Sequence, residues 1–237
     1  MGNEKDDLNR EFLSFGFALE KEFLKSREPI RQELKARQPL LSGALKVIAS
    51  AFGSIHTRGA VEVQSEEAAK RKLQRAAIHA STMHGLEVIE FAISSAAYVQ
   101  TATLVRQEME ALTLCVECRQ SDSNPMNGKN PKLHKALKFL GRDYGMLSQL
   151  AHNSSFEWLN EVIDVSTNGI DVVLNPRFEE RLLCIHLVCL VGLAFDAANL
   201  RPFSETSFLS DQEMNWLSAV VGALNEYGFL RVDTPSA

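Results

Sequence analysis

The sequence predicts an all-α protein: a helical bundle with an N-terminal helical arm and one inserted β-hairpin. Three observations point there. Apolar residues recur at three- and four-residue spacing through most of the chain, the period of one helix face. The alternating segments Val162-Ile-Asp-Val-Ser and Ile170-Asp-Val-Val-Leu flank Thr-Asn168-Gly169, and alternation around Asn-Gly is a strong hairpin signal. The clearest loop, Ser121-Asp-Ser-Asn-Pro-Met-Asn-Gly-Lys-Asn-Pro131, separates two helical regions and carries the turn residues of a mobile segment.

Taken in order, residues 4–37 read as helix, with Leu8, Phe12, Phe15, Leu19 and Phe23 on one face and Pro29 as an interruption. Pro39 suits a first helical position and starts a helix to about Phe52, with Gly53 to Gly59 as a linker. Residues 1–60 form the arm and 61–237 the bundle. Ser65-Glu-Glu supplies an N-cap and first-turn acids to a long helical region ending near residue 118. Gly85, beside His84, is its expected point of division. In its second half Leu86, Ile89, Ile93, Ala96, Leu104 and Cys115 fall near one face, whose small residues allow close packing. Shorter helices are expected at 131–140 and 143–152, a long apolar helix from Pro176 to about Leu200, and a last one at 210–226.

Composition narrows the class. The chain has 237 residues, 45% hydrophobic and 23% charged, enough to bury a sizeable core without disulfides. A formal charge of −5 argues against a protein that coats nucleic acid generally, but leaves a local basic patch open. The apolar runs Leu40–Phe52 and Leu182–Ala198 carry Lys46, His186 and Asp196, so they read as core helices and no membrane span is expected. Met1-Gly-Asn-Glu-Lys-Asp lacks the basic start of a secretory signal and the Ser or Thr of a myristoylation signal. The expected location is cytoplasmic. Of the four cysteines, Cys115 and Cys118 are three apart on a helix, and His186 lies between Cys184 and Cys189. Zinc ligands usually come from turns, whereas these sit in apolar helices, so the cysteines read as buried thiols, with no metal or cofactor expected.

Two helices carry the chemistry. Leu104-Val-Arg106-Gln-Glu-Met-Glu110 sets a cation and an anion four apart on one helical face. Tyr144-Gly-Met-Leu-Ser-Gln-Leu-Ala-His152 ends a helical pattern in a histidine, with Tyr144 a little over two turns earlier on the same side. Helices with Arg-x-x-x-Glu and Tyr-x-x-Leu-Ser-x-x-x-His in that order resemble the HEPN superfamily of helical bundles, most of all its bacterial HEPN-like branch. The resemblance covers roughly residues 65–200. It implies an Arg106–Glu110 helix facing a Tyr144–His152 helix, with the four residues as a polar pocket at the heart of the bundle.

The same resemblance implies a setting in phage defence or a toxin–antitoxin-like system. Catalytic HEPN ribonucleases carry an arginine, four to six residues, then a histidine, paired across a dimer so that arginine holds phosphate and histidine helps activate the ribose 2′-hydroxyl. Here the corresponding positions before His152 are Gly145, Met146 and Leu147, none cationic. The one literal match, Arg181-Leu-Leu-Cys-Ile-His186, stands in the apolar helix after the hairpin. His152 therefore reads first as a structural group that ties two helices together, and second as a catalytic base.

One charge run stands out. Lys129, Lys132, Lys135, Lys138 and Arg142 include no acid between them, and the last four make a stripe if helical. It reads either as the solvated face of an amphipathic helix or as an electrostatic contact for RNA, DNA or a nucleotide. No glycine-rich phosphate loop, Gly-x-Ser-x-Gly elbow, His-Glu-x-x-His or paired-carboxylate pattern is present. Three functions follow as expectations: a binding protein, a divergent metal-independent ribonuclease using His152 with Arg142 or a stripe lysine, and a structural partner that docks another protein through residues 4–60.

The region from about 65 to 118 is apolar around more of its circumference than one layer of neighbours covers, and closed two-fold dimers are the commonest soluble oligomers. Sedimentation at micromolar concentration is therefore expected to give a homodimer of twice the 26.4 kDa chain mass; a purely monomeric species would refute it.

Overall fold

The helix after Pro176 is apolar on every side, and it becomes the axis of the molecule. Leu182, Leu183, Cys184, Ile185, Leu187, Val188, Cys189, Leu190 and Leu193 are all buried, so the helix has no solvent face over this stretch. The computed structural model describes residues 28–29, 32–33, 35–36, 39–58, 66–94, 97–120, 140–152, 163–166, 169–172, 176–200 and 208–228. The elements are α1 (Pro39–Arg58), α2 (Glu66–Ser94), α3 (Tyr98–Gln120), α4 (Gly141–Ala151), β1 (Ile163–Ser166), β2 (Gly169–Val172), α5 (Pro176–Ala198) and α6 (Asp211–Glu226).

The result is a helical bundle. α1, α2, α3 and α6 pack against α5, α3 packs between α2 and α4, and α6 packs on α1. β1 and β2 pair antiparallel, with Ile163 opposite Val172 and Val165 opposite Ile170. By length and composition alone, α1 and the Glu179–Ala198 part of α5 could each cross a membrane. The apolar window of the latter is 83% buried among the other helices, which is how a core helix behaves.

Local sequence explains most boundaries. Pro39 and Pro176 stand at first helical positions, where the missing N–H costs nothing. Ser210 caps α6 through a reciprocal box: its hydroxyl accepts from the Glu213 backbone N–H, while its own N–H donates to the Glu213 carboxylate at 2.8 Å. Arg58, in the last turn of α1, donates to that carboxylate at 2.6 Å and to the Phe208 carbonyl at 3.2 Å, joining the end of α1 to the start of α6.

Two expected boundaries are corrected. α1 does not stop at Phe52: it runs through Gly53 to Arg58, because Ile55 is buried and Arg58 is anchored, which offset the roughly 1 kcal/mol cost of a helical glycine. α1 also buries Leu41, Ile48 and Phe52 in the same core as the other helices. The long region after residue 65 divides between Ser94, where α2 ends, and Tyr98, where α3 starts, and not at Gly85, which lies inside α2. The Ala97 N–H reaches back to the Ala92 carbonyl at 3.1 Å, and Tyr98 starts α3 with its hydroxyl donating to buried Glu179 at 3.0 Å. Most of the expected 4–37 helix, Ser65, the 121–131 loop, the expected 131–140 helix up to residue 139 and the Thr167-Asn168 turn lie outside the described residues.

One ionic cluster locks α2, α3 and α5 together. Asp196 is 2% exposed and sits near the C-terminal end of α5, where the helix dipole disfavours an anion. Arg75 answers both problems: its Nε donates to Oδ2 at 2.9 Å, and its Nη2 donates to Oδ1 at 2.7 Å and to the Asp196 carbonyl at 3.2 Å. His79 Nε2 lies 2.9 Å from Oδ2, and Arg119 of α3 closes on Oδ1 from the solvent side. Burial pushes the Asp196 carboxyl up, but the hydrogen bonds of His79 and Arg75 and the Arg75 charge hold it well below the usual carboxylate range.

A carboxylate whose folded pKa is depressed contributes stability that is fully present above its unfolded value, near ~4, and is lost as pH falls through the lowered one. Asp196→Ala also strands the buried Arg75 cation, so it should lower the free energy of unfolding at neutral pH by about 3–5 kcal/mol in urea denaturation. Its stability should further lose part of the wild-type decline below pH ~4. A variant as stable as wild type, with an unchanged acid profile, would contradict the assignment.

Candidate functional site

α3 and α4 pack so that the paired residues expected from sequence meet. Arg106 and Glu110 are one turn apart on α3, with Arg106 Nε donating to Glu110 Oε1 at 3.0 Å. Tyr144, in the first turn of α4, donates its hydroxyl to the same oxygen at 2.7 Å. At the far end of α4, His152 is the C-cap residue, its backbone N–H reaching the Ser148 carbonyl at 3.2 Å. Its Nε2 lies 3.1 Å from Arg106 Nη1. The guanidinium also stands 5.6 Å from the Tyr144 ring centroid, at cation–π range.

The four residues therefore form one chain, Tyr144–Glu110–Arg106–His152. Glu110 reaches His152 only through Arg106. The cluster is not the heart of the bundle, which corrects that part of the expectation: the Arg106 and Glu110 side chains are each 26% exposed, and His152 is exposed. It forms a polar rim where α3 and α4 reach solvent.

Electrostatics follow from those contacts. Partial burial works against the Arg106 charge, but hydrogen bonds to Glu110 and Tyr144 outweigh it and hold the guanidinium pKa above its ordinary value. Partial burial and the bond to Glu110 raise the Tyr144 phenol, so Tyr144 stays a donor at neutral pH. Because a guanidinium can only donate, His152 Nε2 is the acceptor in this contact and the imidazole carries its proton on Nδ1. Arg106 is thus held by Glu110 on one side and turned toward a neutral imidazole at the surface. An arginine fork of this kind suits a phosphate or carboxylate oxygen.

The other expected residues separate from this site. Arg142 is exposed in the first turn of α4, ten residues before His152 and about 15 Å away along the helix axis, so it is not the histidine's cation. Lys129, Lys132, Lys135 and Lys138 lie outside the described residues. Arg181 and His186 are five apart on α5 and point to different neighbours: Arg181 Nε donates to Asp143 at 2.7 Å, and His186 Nδ1 lies 2.6 Å from Glu108 Oε2. His186 is fully buried, so this literal motif is divided between an ion pair and a buried hydrogen bond to separate partners.

The cysteines are buried and unpaired with one another. Burial pushes the Cys115, Cys184 and Cys189 thiols up, keeping them protonated. Among the described residues, donor atoms of His79, Cys115 and Asp196 lie within 4.8 Å of one another, a spacing that could hold a metal ion. The chemistry around them opposes it. Both Asp196 oxygens already accept from Arg75, Arg119 adds a second cation, and a divalent ion would sit beside both guanidinium groups. The cluster reads as the structural lock described above.

Sequence reasoning missed that lock and the Glu108–His186 pair. The signal was present on α5, where Glu179, His186 and Asp196 interrupt an otherwise apolar run, and a buried polar group requires a partner. The partners Tyr98, Glu108, Arg75 and His79 lie 78–121 residues away in sequence, beyond any local pattern. In comparisons with protein-family models, curated proteins and solved structures, no significant match to this chain was found.

Proposed function

We propose that this chain is an HEPN-like protein that acts by binding, and that its Arg106–His152 rim takes a phosphate of a single-stranded RNA. The observation that carries this reading is the 3.1 Å approach of Arg106 Nη1 to His152 Nε2 at an exposed helix end. The combination of residues that the resemblance associates with RNA, an arginine beside a histidine, is here supplied by two helices instead of one motif. Glu110 and Tyr144 keep Arg106 in place, which reduces the ordering cost of gripping a phosphate. The basic stripe expected at Lys132, Lys135, Lys138 and Arg142 leads directly into α4 and would extend the track for the backbone. With a chain charge of −5, binding would rest on this local patch. The resemblance suggests phage defence or a toxin–antitoxin-like system as the setting.

The same contact favours a second reading, a divergent metal-independent ribonuclease. In it, the Arg106 guanidinium moves from His152 Nε2 onto the phosphate, the freed Nε2 accepts the ribose 2′-hydroxyl proton, the 2′-oxygen attacks the neighbouring phosphorus, and the 5′-oxygen leaves, protonated from water. Arg106 neutralises the phosphate charge, in place of the Arg142 or lysine expected from sequence.

Fluorescence anisotropy with a labelled single-stranded RNA tests both. Arg106→Ala should weaken binding about ten-fold and lower the slope of log affinity against log salt by about one, the signature of one lost phosphate contact. Under the binding reading the RNA stays intact on a denaturing gel. Cleavage that His152→Ala abolishes would establish the ribonuclease instead. Unchanged affinity and salt slope in Arg106→Ala would end the phosphate assignment.

A further inference from the structure

One face of α2 is exposed along most of its length, and its residues are not those of a solvated helix. Leu73 is 60% exposed, Val88 55% and Phe91 40%, and Ala77, Ala80 and His84 between them are exposed as well. The six are spaced four, three, four, four and three apart, so they form one stripe along about 27 Å of helix. The opposite face buries Arg75, Ile78, His79, Ile89 and Ile93 against the core. Single exposed apolar residues are ordinary, but a continuous row of them marks an interaction surface. Ser81 and Val88 carry the row into a groove between α2 and α3, where Leu104 and Leu114 add apolar wall.

Charge says what covers it. From Lys70 to Arg75 the helix carries four cations and no acid; from Ala76 to Ser94 it carries Glu87 and Glu90 and no lysine or arginine. Arg75 is held by Asp196, but Lys70 and Glu87 are exposed toward opposite ends of the stripe. A second helix of the same charge order, laid antiparallel across this one, sets acid against base at both ends. Laid parallel, it would set like against like. The side chains have the same symmetry. Small residues, Ala77, Ala80 and Ser81, stand at the middle of the row, with Leu73 toward one end and Val88 and Phe91 toward the other. Small side chains at a crossing let two helix axes approach closely.

We propose that this stripe of α2 is an interface with a second copy of the chain, the two α2 helices packing antiparallel about a two-fold axis near Ala80 and Ser81. Leu73 of each copy lies against Val88 and Phe91 of the other, and Lys70 of each copy faces Glu87 of the other. A two-fold axis uses the same patch twice, so every contact occurs in both halves. The dimer expected from sequence is thereby assigned to one face of one helix. That face includes none of Arg106, Glu110, Tyr144 and His152, and the proposal does not rest on the RNA reading.

Sedimentation equilibrium of the full chain and its variants tests the face as well as the mass. Wild type should sediment at micromolar concentration as a dimer of the 26.4 kDa chain. Leu73→Glu removes an apolar contact and sets an acid beside Glu87 of the other copy, so it should raise the dimer dissociation constant about 100-fold or more. Lys70→Glu and Glu87→Lys each reverse two symmetry-related charge pairs and should raise it about ten-fold. Combining them makes both pairs attractive again and should recover most of the loss. Trp216→Glu, at an exposed tryptophan of α6, should leave the dimer intact.

The replaced side chains are all exposed, and circular dichroism checks that each variant folds; if Leu73→Glu does not, the charge reversals decide. A monomeric wild type would overturn the proposal together with the expected dimer. A dimer unchanged by Leu73→Glu, single reversals without effect or not rescued by their combination, or a dimer lost in Trp216→Glu would each leave the dimer standing and move its interface off α2.

Discussion

A carboxylate held inside a helical bundle stays charged only if other elements bring cations and hydrogen-bonding groups to it, and that requirement ties the three central helices of this chain together. Asp196 lies near the end of α5; Arg75 and His79 come from α2 and Arg119 from α3. Moving any one helix relative to the others would leave a buried charge unmatched, at a cost of several kcal/mol. Apolar packing alone tolerates sliding far better, because one leucine contact resembles the next. The lock therefore fixes the rotation of α3, and that rotation decides where its polar residues point. Glu108 turns toward His186 of α5, while Arg106 and Glu110 turn toward α4.

This arrangement separates charges that hold the fold from charges that remain available. Asp196 and Glu108 are closed into the interior by α2, α3 and α5, and Arg181 is taken by Asp143 at the start of α4. Arg106 differs. Its anion, Glu110, is also claimed by Tyr144, and its outer edge faces an exposed imidazole instead of a second carboxylate. A guanidinium partly neutralised and still turned to solvent is better placed for an external phosphate than one sealed in an ion pair.

How much of this was legible in the sequence depends on how local each cause is. Helix starts at Pro39, Pro176 and Ser210 follow from residues at the boundary itself, and the bundle follows from apolar periodicity. The four- and eight-residue spacings place Arg106 with Glu110, and Tyr144 with His152, on one side of a helix each; that the two helices face each other was an expectation from the HEPN-like resemblance and not from spacing. The exposure of the four was not readable, since that depends on how far α4 covers α3. Gly85 and Gly53 were misleading for one reason: a glycine weakens a helix by only about 1 kcal/mol, and tertiary burial of neighbours such as Ile55 and Ile89 outweighs it. The lock around Asp196 joins residues 75, 79, 119 and 196, and no spacing rule links positions so far apart.

The functional account rests on Arg106 and His152 sharing one phosphate site, and histidine-selective ¹H–¹⁵N NMR during titration with a short single-stranded RNA examines that directly. The account predicts that the His152 imidazole signals move most among the six histidines. The Arg106→Lys variant, which keeps the charge but loses the fork, should show a smaller movement at the same RNA concentration. Imidazole signals of His152 that stay fixed while RNA binds and perturbs other residues would contradict it.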